Sequence, residues 1–141
     1  GGKTDVIMML NGALAGLVAI TAEPLTPSPL AAIFIGAIGA IIMYFGTKML
    51  EGFGLDDVVG AIPVHMFAGI FGTLIVPATN SETSFGTQFI GTLSVVLFSF
   101  VLSYAVFVAL KATIGLRVSK EAERLGTDKA EIGVQAYAIR D

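Results

Sequence analysis

The stretch Val58-Val59-Gly60-Ala61-Ile62-Pro63-Val64-His65-Met66-Phe67-Ala68-Gly69-Ile70-Phe71-Gly72-Thr73-Leu74-Ile75-Val76-Pro77-Ala78-Thr79-Asn80-Ser81 carries no Lys, Arg, Asp or Glu, and it holds the single histidine of a 141-residue sequence. A helix needs roughly 20 apolar residues to cross about 30 Å of hydrocarbon at 1.5 Å of rise per residue. This run is long enough. A charged side chain at such a depth costs on the order of 2 to 3 kcal/mol or more, so an ionisable group there has a job. His65 lies roughly 10 to 12 Å of helical rise beyond Val58, not far short of a midplane. A neutral imidazole offers one acceptor and one N–H donor. It can line a narrow path for a small hydrogen-bonding solute, hand on a proton, or bond to a neighbouring helix, and the residue alone leaves these open.

Three further windows are free of those four charged types: Val6–Ala22, Pro24–Thr47 and Thr83–Leu110. The composition agrees with a membrane setting, with 55% hydrophobic residues, 13% charged and a mean hydropathy of +0.85. Ordinary soluble domains are less apolar and carry about twice the charge. The expected fold is an all-α membrane protein with four transmembrane helices near 6–22, 30–50, 58–78 and 88–114. Residues 1–115 form the membrane part and residues 116–141 a charged, partly helical tail.

Charge placement supports an alternating path, because short cytoplasmic loops retain Lys and Arg. If the spans alternate, all eight cations (Lys3, Lys48, Lys111, Arg117, Lys120, Arg124, Lys129 and Arg140) fall on one side. The opposite loops, 23–29 and 79–87, hold only Glu23 and Glu82 as charged residues. Both ends of the chain are thereby expected in the cytoplasm of a multi-pass inner or plasma membrane protein. The net charge of −3 shows no basic stripe for nucleic acid.

The loops are punctuated where helices must stop. Pro24, Pro27 and Pro29 restrict the first outer loop, and Pro77 precedes the polar run 79–84 of the second. Asp56 and Asp57 stand just before the third span, where carboxylates can cap free N–H groups and favour the helix dipole. Inside the spans, Gly12 with Gly16, Gly36 with Gly39 and Ala40, and Gly69 with Gly72 repeat at three and four spacings. Small residues so placed let helix backbones approach closely. With no cysteine and one histidine, neither disulfides, a metal site nor a cofactor is expected. The start at Gly1 rather than Met leads to the expectation that these residues are a piece of a longer chain.

The residues 54–74, with Asp56-Asp57, then Val64-His65, then Gly69-Ile70-Phe71-Gly72, resemble the penultimate span of the ammonium transporters, the Amt/Mep/Rh family. Ala15-Gly16-Leu17-Val18-Ala19-Ile20-Thr21 is similar to that family's eighth span. Gly115-Leu116-Arg117-Val118 followed by Glu121, Glu123, Gly126 and Asp128 resembles its junction between last helix and tail. The resemblance implies the C-terminal portion of an eleven-span ammonium transporter fold, spans eight to eleven plus the cytoplasmic tail, in a homotrimer with one pore per subunit. The family deprotonates ammonium at an outer vestibule and conducts ammonia past two facing histidines, and His65 matches the second of them.

By the same resemblance, Asp56 and Asp57 sit at the cytoplasmic end as a helix cap or exit, and Gly126 and Asp128 belong to a regulatory tail. A side chain at Gly126 would be poorly tolerated if its φ is positive. The facing histidine and the outer gate belong to the absent first half, so this portion alone is not expected to transport. The pore-facing side of so partial a bundle would expose His65 without its partner, although the ring is expected to face the bundle interior rather than lipid. Where the family commonly has His-Gly-Glu-x-Ala-Tyr, this chain has Ile132-Gly133-Val134-Gln135-Ala136-Tyr137, which weighs against a PII-type regulator as a partner. The expected function is ammonium or ammonia transport, not enzymatic catalysis. Two other classes stand beside it: an ammonium sensor coupled to signalling, and a small single-histidine proton channel.

Overall fold

The computed structural model describes residues 2–136, and every regular element among them is helical. The chain divides into two compact units, residues 1–96 and 97–141.

In the first unit, α1 spans Val6–Thr21 and α2 spans Pro29–Gly52. The Asp5 side chain accepts the Met8 N–H at 3.0 Å and starts α1. Ser28 does the same for α2, accepting the Ala31 N–H at 3.3 Å, and Pro29 takes a first-turn position where its missing N–H costs nothing. The far end of α2 closes with the Leu55 N–H turned back to the Leu50 carbonyl at 3.0 Å. Gly54 sits at φ +69° in that turn, which ends the helix.

The third helical segment, Ile62–Ala78, is built in three parts. A π-helical stretch, Ile62–Phe67, leads into α3, Ala68–Ile75, and a 3₁₀ turn, Val76–Ala78, finishes it. A helix was expected from residue 58. Val58 and Val59 instead lie exposed in the connection, because Gly60 at φ +72° breaks the helical path just ahead of the segment. Of the four windows, α2 and α4, Phe85–Thr113, are long and apolar enough to cross a membrane. The 16 residues of α1 extend about 24 Å.

α1, α2 and the third segment pack on one another, with Ala15, Met43, Val64 and Ala68 at the centre and Met8 and Val18 against them. Small residues set the spacing, as the glycine pattern predicts. A Cβ on Gly39 would lie 2.6 Å from the Ala19 Cβ, and one on Gly72 would fall onto the Ala19 carbonyl oxygen. Gly12 and Gly69 have only ordinary contacts, 3.8 Å and 3.7 Å, at the same test. Two polar ties link residues distant in sequence. Asn11 donates to the Val59 carbonyl at 3.0 Å, and Asn80 donates to Glu23 at 3.1 Å. The N-terminal half of α1 thus meets the 54–60 connection, while the 23–29 and 79–87 loops meet each other.

α4 buries none of its residues. In the second unit, Ser119 caps α5, Lys120–Leu125, by accepting the Ala122 N–H at 3.1 Å. Gly126 follows at φ +95°, then a π-type turn over Asp128–Ile132.

Candidate functional site

The segment that carries His65 is assembled from its N-terminal side. Asp57 accepts the Ala61 N–H at 2.9 Å through Oδ1 and the Ile62 N–H at 2.8 Å through Oδ2. Both carboxylate oxygens are therefore spent on donors that have no carbonyl a turn earlier. Asp57 thus accepts the two amides that lead into the segment. Asp56, exposed, makes no part of that pair and instead shares with Asp57 the lining of a cavity of about 260 Å³, together with Thr47, Glu51 and Pro63. Glu51 is held at that rim by Lys48, whose Nζ lies 2.8 Å from Oε2.

Beyond the cap the backbone widens. Pro63 has no N–H to give, and the Ala68 N–H reaches back to the carbonyls of both Pro63 and His65. Short π stretches of this kind often sit at functional sites. Pro63 and Val64 are buried, with Val64 at 2% exposure, and His65 next along the chain is exposed. In a bundle of these residues alone the ring is thus left uncovered. Val64 and Ala68 occupy the interior, and the helical rotation of one residue carries His65 to the open side.

Gly126 and Asp128 are brought together in the tail. A Cβ on Gly126 would lie 2.6 Å from Asp128 Oδ1, and its φ of +95° is one that side chains rarely adopt. Asp128 Oδ2 accepts the Ala136 N–H at 2.8 Å, joining residues eight apart in sequence. That bond, followed by the backbone of Lys129, holds the Asp128 carboxyl below the usual carboxylate range. Tyr137, the last residue of the departing tail motif, lies outside the described residues.

Sequence reading missed Gly46, Asn11 and the Glu23–Asn80 tie. Gly46 is buried in α2 against the Phe67 ring. Its signal was a glycine seven residues after Gly39, two turns along the same helix face.

Residues 1–137 match the model of the Ammonium Transporter Family. The chain is 41% identical to the ammonium transporter Amt2 of Archaeoglobus fulgidus, covering 96% of this chain and 33% of that protein. It is 38% identical to the putative ammonium transporter sll1017 of Synechocystis, covering 93% of this chain and 30% of the relative. An ammonium transporter of Aquifex aeolicus is 33% identical over 98% of this chain and 36% of its own length. The chain thus spans about a third of the length of these relatives. With the match running through the π segment, the glycine-packed helices and nearly all of the tail, the chain belongs to the ammonium transporter family.

Proposed function

We propose that this chain is the C-terminal portion of an ammonium transporter and that His65 lines its conduction path. The observation that carries the proposal is the placement of an exposed imidazole on a capped π-helical segment, next to buried Val64, in a run with no other titratable side chain. A hydrogen-bonding ring in an apolar run suits a small uncharged solute such as ammonia. Stripping water from a potassium ion without replacing its ligands is costly, whereas uncharged ammonia crosses an apolar passage at far smaller cost.

Four spans, both chain ends in the cytoplasm and a homotrimer complete the proposal. The tie of Asn11 to Val59 and of Glu23 to Asn80 supports the alternation of spans, and the one-sided cations support the orientation. A helix as apolar as α4, with none of its residues buried, suits lipid and partner helices. Asp56 and Asp57 stand at the cytoplasmic mouth in this reading, and Gly126 with Asp128 shapes a regulatory tail. A PII-type regulator fits poorly, since Ile132 and Val134 replace the residues that the family motif supplies.

Uptake of methylammonium into vesicles holding the full-length protein tests the proposal. Accumulation above that of empty vesicles, competed by ammonium, is expected. Binding of ammonium without uptake, or passage of protons alone, would overturn it.

A further inference from the structure

We infer that Gly46 is a positioning residue for His65, acting through a notch in α2 that seats the Phe67 ring. The inference rests on the transport reading above. Gly46 is buried on the face of α2 that meets the π segment. A Cβ at that position would overlap the Phe67 ring, with Cε2 at 2.9 Å and Cδ2 nearer still, and would touch the Pro63 Cβ at 3.5 Å.

Pro63 and Phe67 bracket His65 at two residues on either side, so both flanks of the histidine rest against one missing methyl group. That arrangement has a mechanical consequence. A π stretch is rare and needs its surroundings to hold it. Here the N-terminal end is held by Asp57 through the Ala61 and Ile62 N–H groups, and the C-terminal end by Phe67 in the notch. With both ends fixed, the rotation of the segment about its own axis is fixed, and so is the direction of the His65 ring. A methyl at Gly46 drives the Phe67 ring out and releases one of the two holds.

The test uses the full-length protein in vesicles, with methylammonium turnover, KM and potassium leak measured for Gly46→Ala, for Gly46→Ala with Phe67→Leu, and for His65→Ala. Gly46→Ala is expected to insert and assemble, to lower turnover roughly tenfold or more or to admit potassium, and to leave KM nearly unchanged. The smaller Phe67→Leu side chain is expected to restore most of the loss. A loss of uptake that vanishes once turnover is referred to the amount of assembled protein, with potassium discrimination unchanged, would overturn the inference. So would wild-type behaviour of Gly46→Ala, or a defect that Phe67→Leu does not relieve. If Gly46→Ala does not assemble, Phe67→Leu alone decides, because it empties the notch. Altered potassium discrimination is then expected, and unchanged discrimination overturns the inference. If His65→Ala itself leaves uptake and selectivity intact, the pore assignment falls and the notch falls with it. If His65→Ala abolishes uptake while Gly46→Ala changes nothing, only the notch falls.

Discussion

Asp57 uses both carboxylate oxygens on the first two amides of the segment that carries His65. Replacing it by alanine leaves two N–H groups without acceptors, a loss of about 1 to 2 kcal/mol by the usual cost of a missing cap. Asp57→Ala is therefore expected to lower the melting temperature of the purified full-length protein, and Asp57→Asn, with one acceptor left, to lower it by about half as much. Equal melting of all three would show that the cap contributes nothing. In the tail, the Asp128 carboxyl lies below its ordinary range because the ionised form accepts the Ala136 N–H. A group whose folded pKa is depressed stabilises the fold fully above its unfolded pKa, and the contribution fades as pH falls through the folded value. Protection of the Ala136 amide from hydrogen exchange, corrected for the intrinsic rate, should hold at neutral pH and disappear only below the usual carboxylate range. Asp128→Asn should remove that dependence. On the proposed regulatory role of the tail, Gly126→Asp, which meets both a φ of +95° and the Asp128 oxygen, is expected to suppress uptake while membrane insertion continues. That a carboxylate should meet free N–H groups here was legible in the sequence, since two aspartates precede an apolar run. The Asp128–Ala136 bond was not, because it depends on how the loop between residues eight apart closes.

Among the elements, hydropathy located all four helical stretches but could not tell an α from a π path. The same apolar residues satisfy both. The start of the third segment moved from residue 58 to Ile62 because a single backbone angle, the φ of +72° at Gly60, decides it, and Asn11 fills the space a Cβ there would need. The glycine spacings foretold close packing, and Gly39 and Gly72 deliver it against α1. Gly72→Val should consequently be far worse than the same change at Gly69, where the nearest contact is an ordinary 3.7 Å. Overpacking of this kind typically costs about 1 to 3 kcal/mol, and the clash here is with backbone that cannot turn aside. The assembled fraction recovered by size-exclusion chromatography should fall sharply for Gly72→Val and little for Gly69→Val. Similar recoveries would mean that the α1 contact does not set the packing.

For the molecule as a whole, the family was readable because it rests on residue types: uncharged windows and motifs in fixed order. The side of the bundle on which His65 lies was not readable, since that depends on which neighbour takes the interior. Val64 and Ala68 take it, and the imidazole is left on the open side. We propose that this side lines the conduction path in the full-length transporter. Ammonium-evoked current and potassium permeability, recorded for the reconstituted full-length protein and its His65→Ala variant, test this. Loss of ammonium conduction, or its replacement by potassium-permeable current in a protein that still assembles, is the predicted result. Unchanged conduction and selectivity in an assembled His65→Ala protein would contradict it and leave His65 a packing residue.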